Sequence, residues 1–252
     1  MLRTAIKAAK LAGKIIKTNF GKPIDISTKE GNEFFTNIDL EAEKNIIETI
    51  KEKYSQHNIW SEECGSLKKT SSDYEWVIDP LDGTNNFINQ IPMVGTSIGL
   101  MYKNKPVLGV VYFPIINQLF YAEKGKGAFL NGKQIKCPDV KELSKAVLFF
   151  ESHLKTASPK YLKFFLTLAK KIFRTRIAGA ATMNICYVAN GGANICVESG
   201  LKPGDIAASA IIAEEAGAVI TDHQGKPWHP RCKNIIVTNK FLHKKILELI
   251  QK

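Results

Sequence analysis

The first twenty residues, MLRTAIKAAKLAGKIIKTNF, alternate between apolar and basic positions at helical spacing. The apolar positions fall on one face of a helix and are Leu2, Ile6, Ala9, Ile16 and Phe20. The opposite face carries Lys7, Lys10, Lys14 and Lys17. The segment lacks acids, as organellar presequences do, but its recurring basic residues leave no apolar stretch of signal-peptide or membrane length. The pattern favours an ordinary amphipathic first helix.

A second helix is predicted over LEAEKNIIETIKEKYS, residues 40–55, because apolar residues recur there at helix spacing. Those residues are Leu40, Ile46, Ile47 and Ile50. Asp39 comes directly before them and is predicted to be the N-cap of this helix. The apolar run EWVI then predicts a short buried strand. We expect that strand to end at Asp79 and Pro80, since proline has no N–H to donate to a sheet.

Residues 95–129 have the pattern of β-strands. The segments TSIGLMY, PVLGVVYF and QLFYAEKG alternate or run apolar between turn residues. NGK, at residues 131–133, is typical of a hairpin turn. Together these segments predict a meander of antiparallel strands.

The second half of the chain mixes helices and strands. It predicts a strand at AVLFFES, a helix over residues 161–170, two glycine-terminated helices at ATMNICYVANGG and DIAASAIIAEEAGA, then the strand NIIVTNK and the helix FLHKKILELIQK. No internal repeat and no Ser/Gly/Pro-rich linker is visible. We therefore expect one layered domain over residues 1–252, with lobes of about 1–147 and 148–252 and a ligand cleft between them.

Composition places the chain among ordinary globular proteins, with 44% hydrophobic and 23% charged residues. Its five cysteines are odd in number and form no CxxC pair, which disfavours a disulfide framework and a thiolate zinc site and favours a cytoplasmic location. The net charge of +11 favours an anionic partner: nucleic acid, an acidic membrane surface or a phosphorylated small molecule. Because the lysines are dispersed, a solvated basic surface is the simplest interpretation, and nucleic acid or membrane binding is not expected.

The stretch WVIDPLDGTNN concentrates the candidate chemistry. Asp79 and Asp82 stand three positions apart around Pro80, and two close carboxylates repel unless one is protonated or a cation lies between them. Oxygen ligands without nearby His or Cys select Mg²⁺, Mn²⁺ or Ca²⁺ over zinc, and the carbonyl of Leu81 can add a further oxygen. The alternative is an acidic turn that caps a helix starting at Thr84.

LDGT also resembles the DxDGT loop of the haloacid dehalogenase phosphatases. In that loop a nucleophilic aspartate stands two places before the second one, and here Pro80 occupies that place. Proline has no carboxylate, so a covalent aspartyl-phosphate route is disfavoured. The DxxDGT spacing favours a metal-activated water instead.

Three motifs in order resemble the inositol monophosphatase family. WVIDPLDGTNNF is similar to its metal-binding signature, GDIAASAIIAEEAGAVI to its WDxAAxxxIxxEAGG segment, and SEECG to its GEE. The spacers GKGAFLNGK and AGAATMNICYVANGG are also family-like, so the resemblance covers essentially the whole chain. It implies an α+β fold, a layered α/β/α/β/α sandwich, and a lithium-sensitive, homodimeric phosphoric monoester hydrolase with two or three Mg²⁺ ions, or Mn²⁺.

The resemblance also implies a ligand set. Glu62, Asp79 and the Leu81 carbonyl would hold a first ion, and Glu62 is a candidate ligand of a third. The second ion would be held by Asp79, Asp82 and Asp205. One ion would lower the pKa of water and another would neutralise the leaving alkoxide.

Catalytic roles follow from the same resemblance. Thr84, paired with Asp39, would orient and deprotonate the attacking water on the first ion, which Glu62 would help to hold. The backbone N–H groups of Gly83 and Thr84, at a helix start, would meet the phosphate. Simpler roles stay open for each acid taken alone: a solvated turn at Glu62, and a helix cap at Asp39 or Asp205.

Glu198 matches a family glutamate that contacts a substrate hydroxyl, and the substrate loop corresponds to Gly179, Ala180 and Ala181. Relatives that hydrolyse 3′-phosphoadenosine 5′-phosphate carry Lys-Glu after DGT, whereas this chain has two asparagines. A polyol or sugar phosphate is therefore favoured, inositol monophosphate first. The alternatives are a fructose 1,6-bisphosphatase or dual sugar phosphatase and, from another class, a basic RNA- or protein-binding module with vestigial activity.

Several positions depart from the family pattern. Gly204 replaces a tryptophan and is predicted to loosen the wall beside Asp205, while Ala180 replaces a Ser or Thr and removes one polar contact. Glu33 replaces an aspartate ahead of the Phe-Phe-Thr at 34–36, and Lys29 lies near the position of a family lysine. The two glutamates at 214–215 are expected on a helix surface rather than in the site.

Overall fold

The computed structural model describes residues 1–28, 34–67 and 69–251. Lys29 and Glu33, singled out in the sequence, lie outside this part of the chain. The described residues form seven α-helices: α1 (Leu2–Asn19), α2 (Asn37–Tyr54), α3 (Thr84–Ile88), α4 (Pro159–Ala169), α5 (Ala181–Ala189), α6 (Pro203–Glu215) and α7 (His243–Gln251).

The first ten strands comprise the two-stranded sheet β1–β2 and all of a large sheet. They are β1 (Ile26–Thr28), β2 (Phe34–Thr36), β3 (Asn58–Ser61), β4 (Gly65–Ser66), β5 (Tyr74–Asp82), β6 (Gly95–Tyr102), β7 (Lys105–Phe113), β8 (Gln118–Glu123), β9 (Ala128–Leu130) and β10 (Lys133–Ile135). The large sheet has eight strands in the order β10-β9-β8-β7-β6-β5-β3-β4, with β3 and β5 parallel.

The last five strands form a second sheet. They are β11 (Val147–Phe150), β12 (Arg174–Arg176), β13 (Ile195–Ser199), β14 (Val219–Thr221) and β15 (Asn234–Thr238). Their order is β12-β11-β13-β15-β14, in which β11 runs parallel to both of its neighbours.

Helices and sheets stack in five layers. α1 and α2 pack their alanines and isoleucines on one face of the large sheet, against residues such as Trp76 and Ile98. The other face of that sheet packs on α5 and α6, which also cover the inner face of the small sheet. α4 and α7 cover its outer face through residues such as Phe164 and Ile246. This arrangement is the predicted α/β/α/β/α sandwich.

Small residues set the spacing of the middle layers. Gly99 in β6 lies opposite α6, where an added Cβ would stand 2.8 Å from the Cβ of Ala207. α6 can therefore approach the sheet closely, and its buried residues are mainly alanine and isoleucine. The close approach brings the first turn of α6 to the end of β5.

The start of α2 differs from the prediction. The N-cap is Thr36, not Asp39, and Asp39 is the third helical residue. The Thr36 hydroxyl accepts the N–H of Ile38 at 3.1 Å, and Asp39 Oδ2 accepts the N–H of Thr36 at 2.8 Å. TNID is thus an acidic form of the capping box, which starts the helix three residues early. Leu40, predicted on the apolar face, is 46% exposed.

β5 does not end at Asp79 and Pro80, as predicted, but continues to Asp82. Its register against β6 shifts between Asp79 and Asp82. Such an irregularity removes the need for a donated N–H at Pro80, which is how a sheet accommodates proline. The shift also places the two aspartates at the end of one buried strand.

The remaining predicted elements are found close to their expected positions. The meander corresponds to β6, β7 and β8, and the NGK hairpin joins β9 to β10 with positive φ of 49° at Asn131 and 83° at Gly132. The sequence prediction missed the short strands β1–β4, β12 and β14, together with the buried strand β13. No helix in the described residues is long and apolar enough to cross a membrane, and all five cysteines are free.

Candidate active site and metal centre

A cleft of about 430 Å³ lies where the end of β5 and α3 face the first turns of α5 and α6 and the end of β13. Nearly all predicted site residues line it: Glu62, Asp79, Leu81, Asp82, Gly83, Thr84, Gly179, Ala180, Ala181, Glu198 and Asp205. The structure therefore brings together segments that are up to 143 residues apart in sequence, from Glu62 to Asp205.

Three carboxylates form an acidic cluster in this cleft. Glu62, Asp79 and Asp205 each offer one oxygen, and the three oxygens lie within 4.8 Å of one another. Glu62 follows β3 and its N–H donates to Ile78 O at 3.1 Å, directly before Asp79 in β5. The parallel pairing of β3 with β5 thus places the first two acids side by side.

Asp205 comes from the first turn of α6. The predicted N-cap role is wrong, because the N-cap is Lys202 and Asp205 is the third helical residue; its Oδ2 accepts the N–H of Lys202 at 2.7 Å and so satisfies a donor at the helix start. Both functions fit one side chain, because a carboxylate has lone pairs on two oxygens. The cap contact fixes the orientation of Asp205 toward the cluster.

The electrostatics of the cluster favour a cation. Burial, followed by the charges of Glu62 and Asp82, raises the pKa of Asp79 well above its ordinary value. Burial and the charges of Asp82 and Glu62 likewise raise the pKa of Asp205. A divalent cation among the carboxylates would reverse this repulsion, and an all-oxygen donor set suits a hard ion such as Mg²⁺ or Mn²⁺. The residues therefore fit the metal that the sequence predicts.

Lys202 also contacts the acidic cluster, and sequence reasoning missed it. Its Nζ lies 2.9 Å from Glu62 Oε1. Both side chains are partly buried in the cleft, so the pair is less screened than a surface ion pair. The only signal in the sequence was a lysine three residues before Asp205.

Asp82 lies beside the cluster rather than in it. Its carboxylate accepts the N–H of Ala181 at 3.2 Å and the N–H of Thr182 at 3.0 Å, together with the Thr182 hydroxyl. These donors belong to the first turn of α5, where N–H groups have no partner within the helix. Burial raises the pKa of Asp82 to about 6, while the hydrogen bonds from Thr182 lower it.

Thr84 and Asp39 form the predicted pair. The Thr84 hydroxyl lies 3.1 Å from Asp39 Oδ1 and 3.1 Å from the carbonyl oxygen of Leu81. Asp39 Oδ2 is held by the hydroxyl of Thr36 at 2.6 Å. Because a hydroxyl has one hydrogen, Thr84 donates to one of its two acceptors at a time.

Gly83 has a left-handed φ of 84°, and an added Cβ would lie 2.8 Å from the Met93 carbonyl oxygen. The tight turn leads directly into α3. Asn86, in α3, donates to Met93 O at 2.9 Å and to Ala178 O at 2.7 Å, and so links this turn to the loop before α5. Ala180 in that loop is buried and packs toward Gly83.

Glu198 lies at the far side of the cleft and is 4% exposed. Its Oε1 accepts a hydrogen bond of 2.6 Å from Asn184 Nδ2, a contact that the sequence did not reveal. Burial raises the pKa of Glu198 to about 8, although the hydrogen bond from Asn184 lowers it. Burial at this position therefore favours the neutral form of the Glu198 carboxyl.

The predicted effect of Gly204 is wrong. Gly204 is buried, and an added Cβ would lie 2.8 Å from the Cβ of Asp79 and 3.2 Å from Ile78 O. Its carbonyl accepts the Ser97 hydroxyl at 2.8 Å. The missing side chain does not loosen the wall. It lets α6 pack directly on the strand that carries Asp79.

The glutamates at the end of α6 lie outside the cleft. Glu214 accepts the indole N–H of Trp228 at 2.6 Å, and Glu215 accepts the N–H groups of Gly125 and Gly127, each at 2.8 Å. They join α6 to neighbouring loops. This placement agrees with a helix-surface role and gives them no part in the acidic cluster.

The fold and the cleft together define a layered α/β protein with a carboxylate centre suited to hard cations. The chain belongs to the Inositol monophosphatase family, whose profile matches residues 1–252. It is 37% identical over 253 residues to the Nus factor SuhB of Escherichia coli (strain K12), with 98% of this chain and 94% of that protein covered. Both the family and the fold class predicted from the sequence are thereby confirmed.

Solved structures agree with this assignment. The IMPase of Thermotoga maritima has a TM-score of 0.91 and 33% identity, with 99% of this chain and 96% of that chain covered. A protein described as an inositol monophosphatase-fructose 1,6 bisphosphatase has a TM-score of 0.86 and 32% identity, with 98% of each chain covered. The family is generally metal-dependent, which is consistent with the acidic cluster.

Proposed function

We propose that this protein is a Mg²⁺-dependent phosphomonoesterase that hydrolyses inositol monophosphate to inositol and phosphate. The observation that carries the proposal is the acidic cluster: three carboxylates from separate segments within 4.8 Å, in a cleft large enough for a sugar phosphate. Mutual repulsion among close carboxylates that are wholly or partly buried is unfavourable, and this arrangement is typical of a site that binds cations.

Glu62, Asp79 and Asp205 would hold the ions, with the Leu81 carbonyl and Asp82 as further donors. Bound Mg²⁺ would supply positive charge that activates water and stabilises the charge on the phosphate and the leaving oxygen. The family resemblance implies two or three ions, and Mn²⁺ offers a similar preference for oxygen ligands.

Asp39 and Thr84 would prepare the attacking water. When the Thr84 hydroxyl donates to Asp39, its oxygen lone pairs are left to accept a proton from water in the cleft. The proton taken from water passes through Thr84 to Asp39, the water oxygen bonds to phosphorus and the ester P–O bond breaks. The departing alkoxide takes a proton from a second water in the cleft, and Asp39 returns its proton to solvent. The capping box at Thr36 holds Asp39 in this orientation.

The remaining lining residues would bind the substrate. Backbone N–H groups of Gly83 and Thr84 would meet the phosphate, and the loop at 179–181 would offer backbone groups to the sugar hydroxyls. Glu198, oriented by Asn184, would hydrogen-bond a hydroxyl at the far side of the cleft. These polar groups suit a polyol better than an apolar ester.

Removing one cluster carboxylate tests the mechanism. We expect Asp79→Asn and Asp205→Asn each to lower kcat for inositol monophosphate at least about a hundredfold, because each removes a charge that holds the ion. Phosphate release is measured with Mg²⁺ and then with EDTA, and circular dichroism verifies the fold. Asp73→Asn, at an exposed acid outside the cleft, is the matched control. Near wild-type turnover in either cluster variant would rule out the proposed mechanism.

Fructose 1,6-bisphosphate is the second candidate substrate, because a structurally similar protein is described by both activities. Turnover of the two esters by the same preparation, compared as kcat/KM, would distinguish them. An enzyme selective for inositol monophosphate should show no saturable hydrolysis of the bisphosphate at matched concentrations.

A binding role is the candidate from another class. It is favoured by the net charge of +11 and by a relative that is named a Nus factor. A gel-shift assay with RNA at low salt tests it, since binding through phosphates is strongest there. Absence of a shift would exclude the idea.

The family resemblance also implies a homodimer. Light scattering of the protein as it elutes from a size-exclusion column measures its mass and tests this prediction.

A further inference from the structure

Glu43 is a buried acid on α2 that does not line the cleft. Its side chain is 2% exposed, and it lies one helical turn after Asp39 on the same face. Burying a carboxylate is unfavourable unless its oxygens are hydrogen-bonded. Among the described residues Glu43 forms no ion pair, so hydrogen bonds must compensate its burial.

Three donors from one short turn meet this carboxylate. Oε1 accepts the N–H of Glu63 at 3.1 Å and the N–H of Cys64 at 3.2 Å. Oε2 accepts the thiol of Cys64, with Sγ 2.7 Å away. Both oxygens of the buried carboxylate are thus occupied by donors from residues 63 and 64.

This turn is the one that carries Glu62. The N–H of Glu62 is held by Ile78 O in β5, and the next two residues are held by Glu43. We propose that Glu43 is a positioning residue that keeps the Glu62 carboxylate in the acidic cluster. The inference rests on the proposed function, because it gives Glu62 the role of a cation ligand.

Helix α2 supplies two contacts to the site, one from Asp39 and one from Glu43. Asp39 reaches Thr84 from the first turn of α2, and Glu43 reaches the Glu62 turn from the second. One rigid element thus sets the distance between the pair that orients water and a ligand of the ion. Residues that orient metal ligands typically affect metal affinity about tenfold to a hundredfold.

Calorimetric titration with Mn²⁺ alone, without substrate, tests the proposal independently of turnover. We expect Glu43→Met, which fills the same space without acceptors, to weaken Mn²⁺ binding about tenfold or more. Glu43→Gln keeps one acceptor oxygen and should lose less affinity. Cys64→Ala removes a donor from the other side of the contact, whereas Cys64→Ser restores one and should recover most of the affinity.

Steady-state kinetics at varied Mg²⁺ concentration distinguish a positioning role of Glu43 from a general loss of folded structure. At saturating Mg²⁺, Glu43→Gln should recover most of its kcat, with an unchanged KM for inositol monophosphate and a raised Mg²⁺ requirement. Glu48→Gln makes the same chemical change at an exposed position of α2 and is the control.

Wild-type Mn²⁺ affinity in Glu43→Met, Glu43→Gln and Cys64→Ala would overturn the positioning role and leave the proposed function intact. Failure of the unmodified protein to bind Mn²⁺ would instead overturn the proposed function. If Glu43→Met does not fold, as judged by circular dichroism, the other two variants decide the question.

Discussion

Gly204 has no side chain, and this absence lets α6 pack directly against Asp79 in the site. We expect Gly204→Ala to weaken Mg²⁺ binding about fivefold or more, because its Cβ would lie 2.8 Å from the Cβ of Asp79 and must displace β5 or α6. Overpacking of this kind also destabilises a protein by about 1–3 kcal/mol. Calorimetric titration measures the affinity, and denaturant unfolding measures the stability.

Gly217→Ala is the matched control for that experiment. Gly217 has a φ of 88° and open space around an added Cβ, so alanine there strains the backbone without touching Asp79. It should lower the free energy of unfolding and leave Mg²⁺ affinity unchanged. Equal affinity in the two variants would contradict the close-packing argument for Gly204.

At the residue scale, contiguous motifs made most of the site predictable. Asp79, Leu81 and Asp82 stand in one short stretch whose chemistry is visible without a fold. Lys202 and Glu43 were missed because their importance depends on contacts with Glu62 and its turn. Those contacts exist only after β3, α2 and α6 have packed together, and no local pattern records them.

At the scale of elements, the start of α2 links helix stability to the site. Thr36 accepts from Ile38 N–H and donates to Asp39 at 2.6 Å. We expect Thr36→Ala to lower the free energy of unfolding by about 1 kcal/mol through loss of the cap. It should also lower kcat, since Asp39 loses the hydroxyl that orients it toward Thr84.

Thr36→Ser keeps the hydroxyl and should restore both properties. Unfolding by urea gives the stability, and phosphate release at saturating Mg²⁺ gives kcat. A variant Thr36→Ala that is less stable but retains full kcat would mean that the cap serves α2 alone.

Element boundaries were harder to predict than element types. The sequence indicated a strand ending at Pro80, because the sequence alone shows only that proline has no N–H to donate. It does not reveal that the neighbouring β6 shifts register there and tolerates the proline. The N-cap of α2 was assigned to Asp39 instead of Thr36 for a similar reason. Aspartate is favourable both as an N-cap and as the third residue of a helix, and the sequence alone does not distinguish the two positions.

At the scale of the whole molecule, the helix layer formed by α5 and α6 packs against both sheets. Residues of α5 and α6 pack on Val111 and Phe120 of the large sheet and on Cys196 and Val237 of the small one. We propose that residues 1–252 form a single domain with lobes of about 1–147 and 148–252. Removal of residues 1–147 would uncover one face of the α5–α6 layer, and removal of residues 148–252 would take that layer away from the large sheet.

A single domain should unfold in one step. We expect one calorimetric transition whose measured enthalpy equals its van't Hoff enthalpy. The fragment 1–147 should not fold alone, because it lacks α5 and α6 and leaves Phe113 and Phe120 exposed to water. Two separate transitions in the full chain would contradict the single-domain proposal.

His223 gives the whole molecule an acid-sensitive contribution to stability. It stacks on Tyr161, with ring centroids 5.7 Å apart, and burial lowers its pKa from 6.5 to about 4. Between these values the unfolded chain binds the proton and the folded protein does not. The contribution is therefore present above about pH 6.5, is lost as the pH falls towards 4, and amounts to at most about 3 kcal/mol.

We expect His223→Gln to flatten the fall in the free energy of unfolding between about pH 6.5 and 4. The difference between variant and wild type is the quantity to measure, because raised carboxylate pKa values such as that of Asp82 act in the opposite direction. Urea unfolding at several pH values measures this difference in the free energy of unfolding, and His229→Gln, at an exposed position, is the control. Parallel curves for His223→Gln and wild type would show that His223 is protonated without loss of folding energy, against the burial argument.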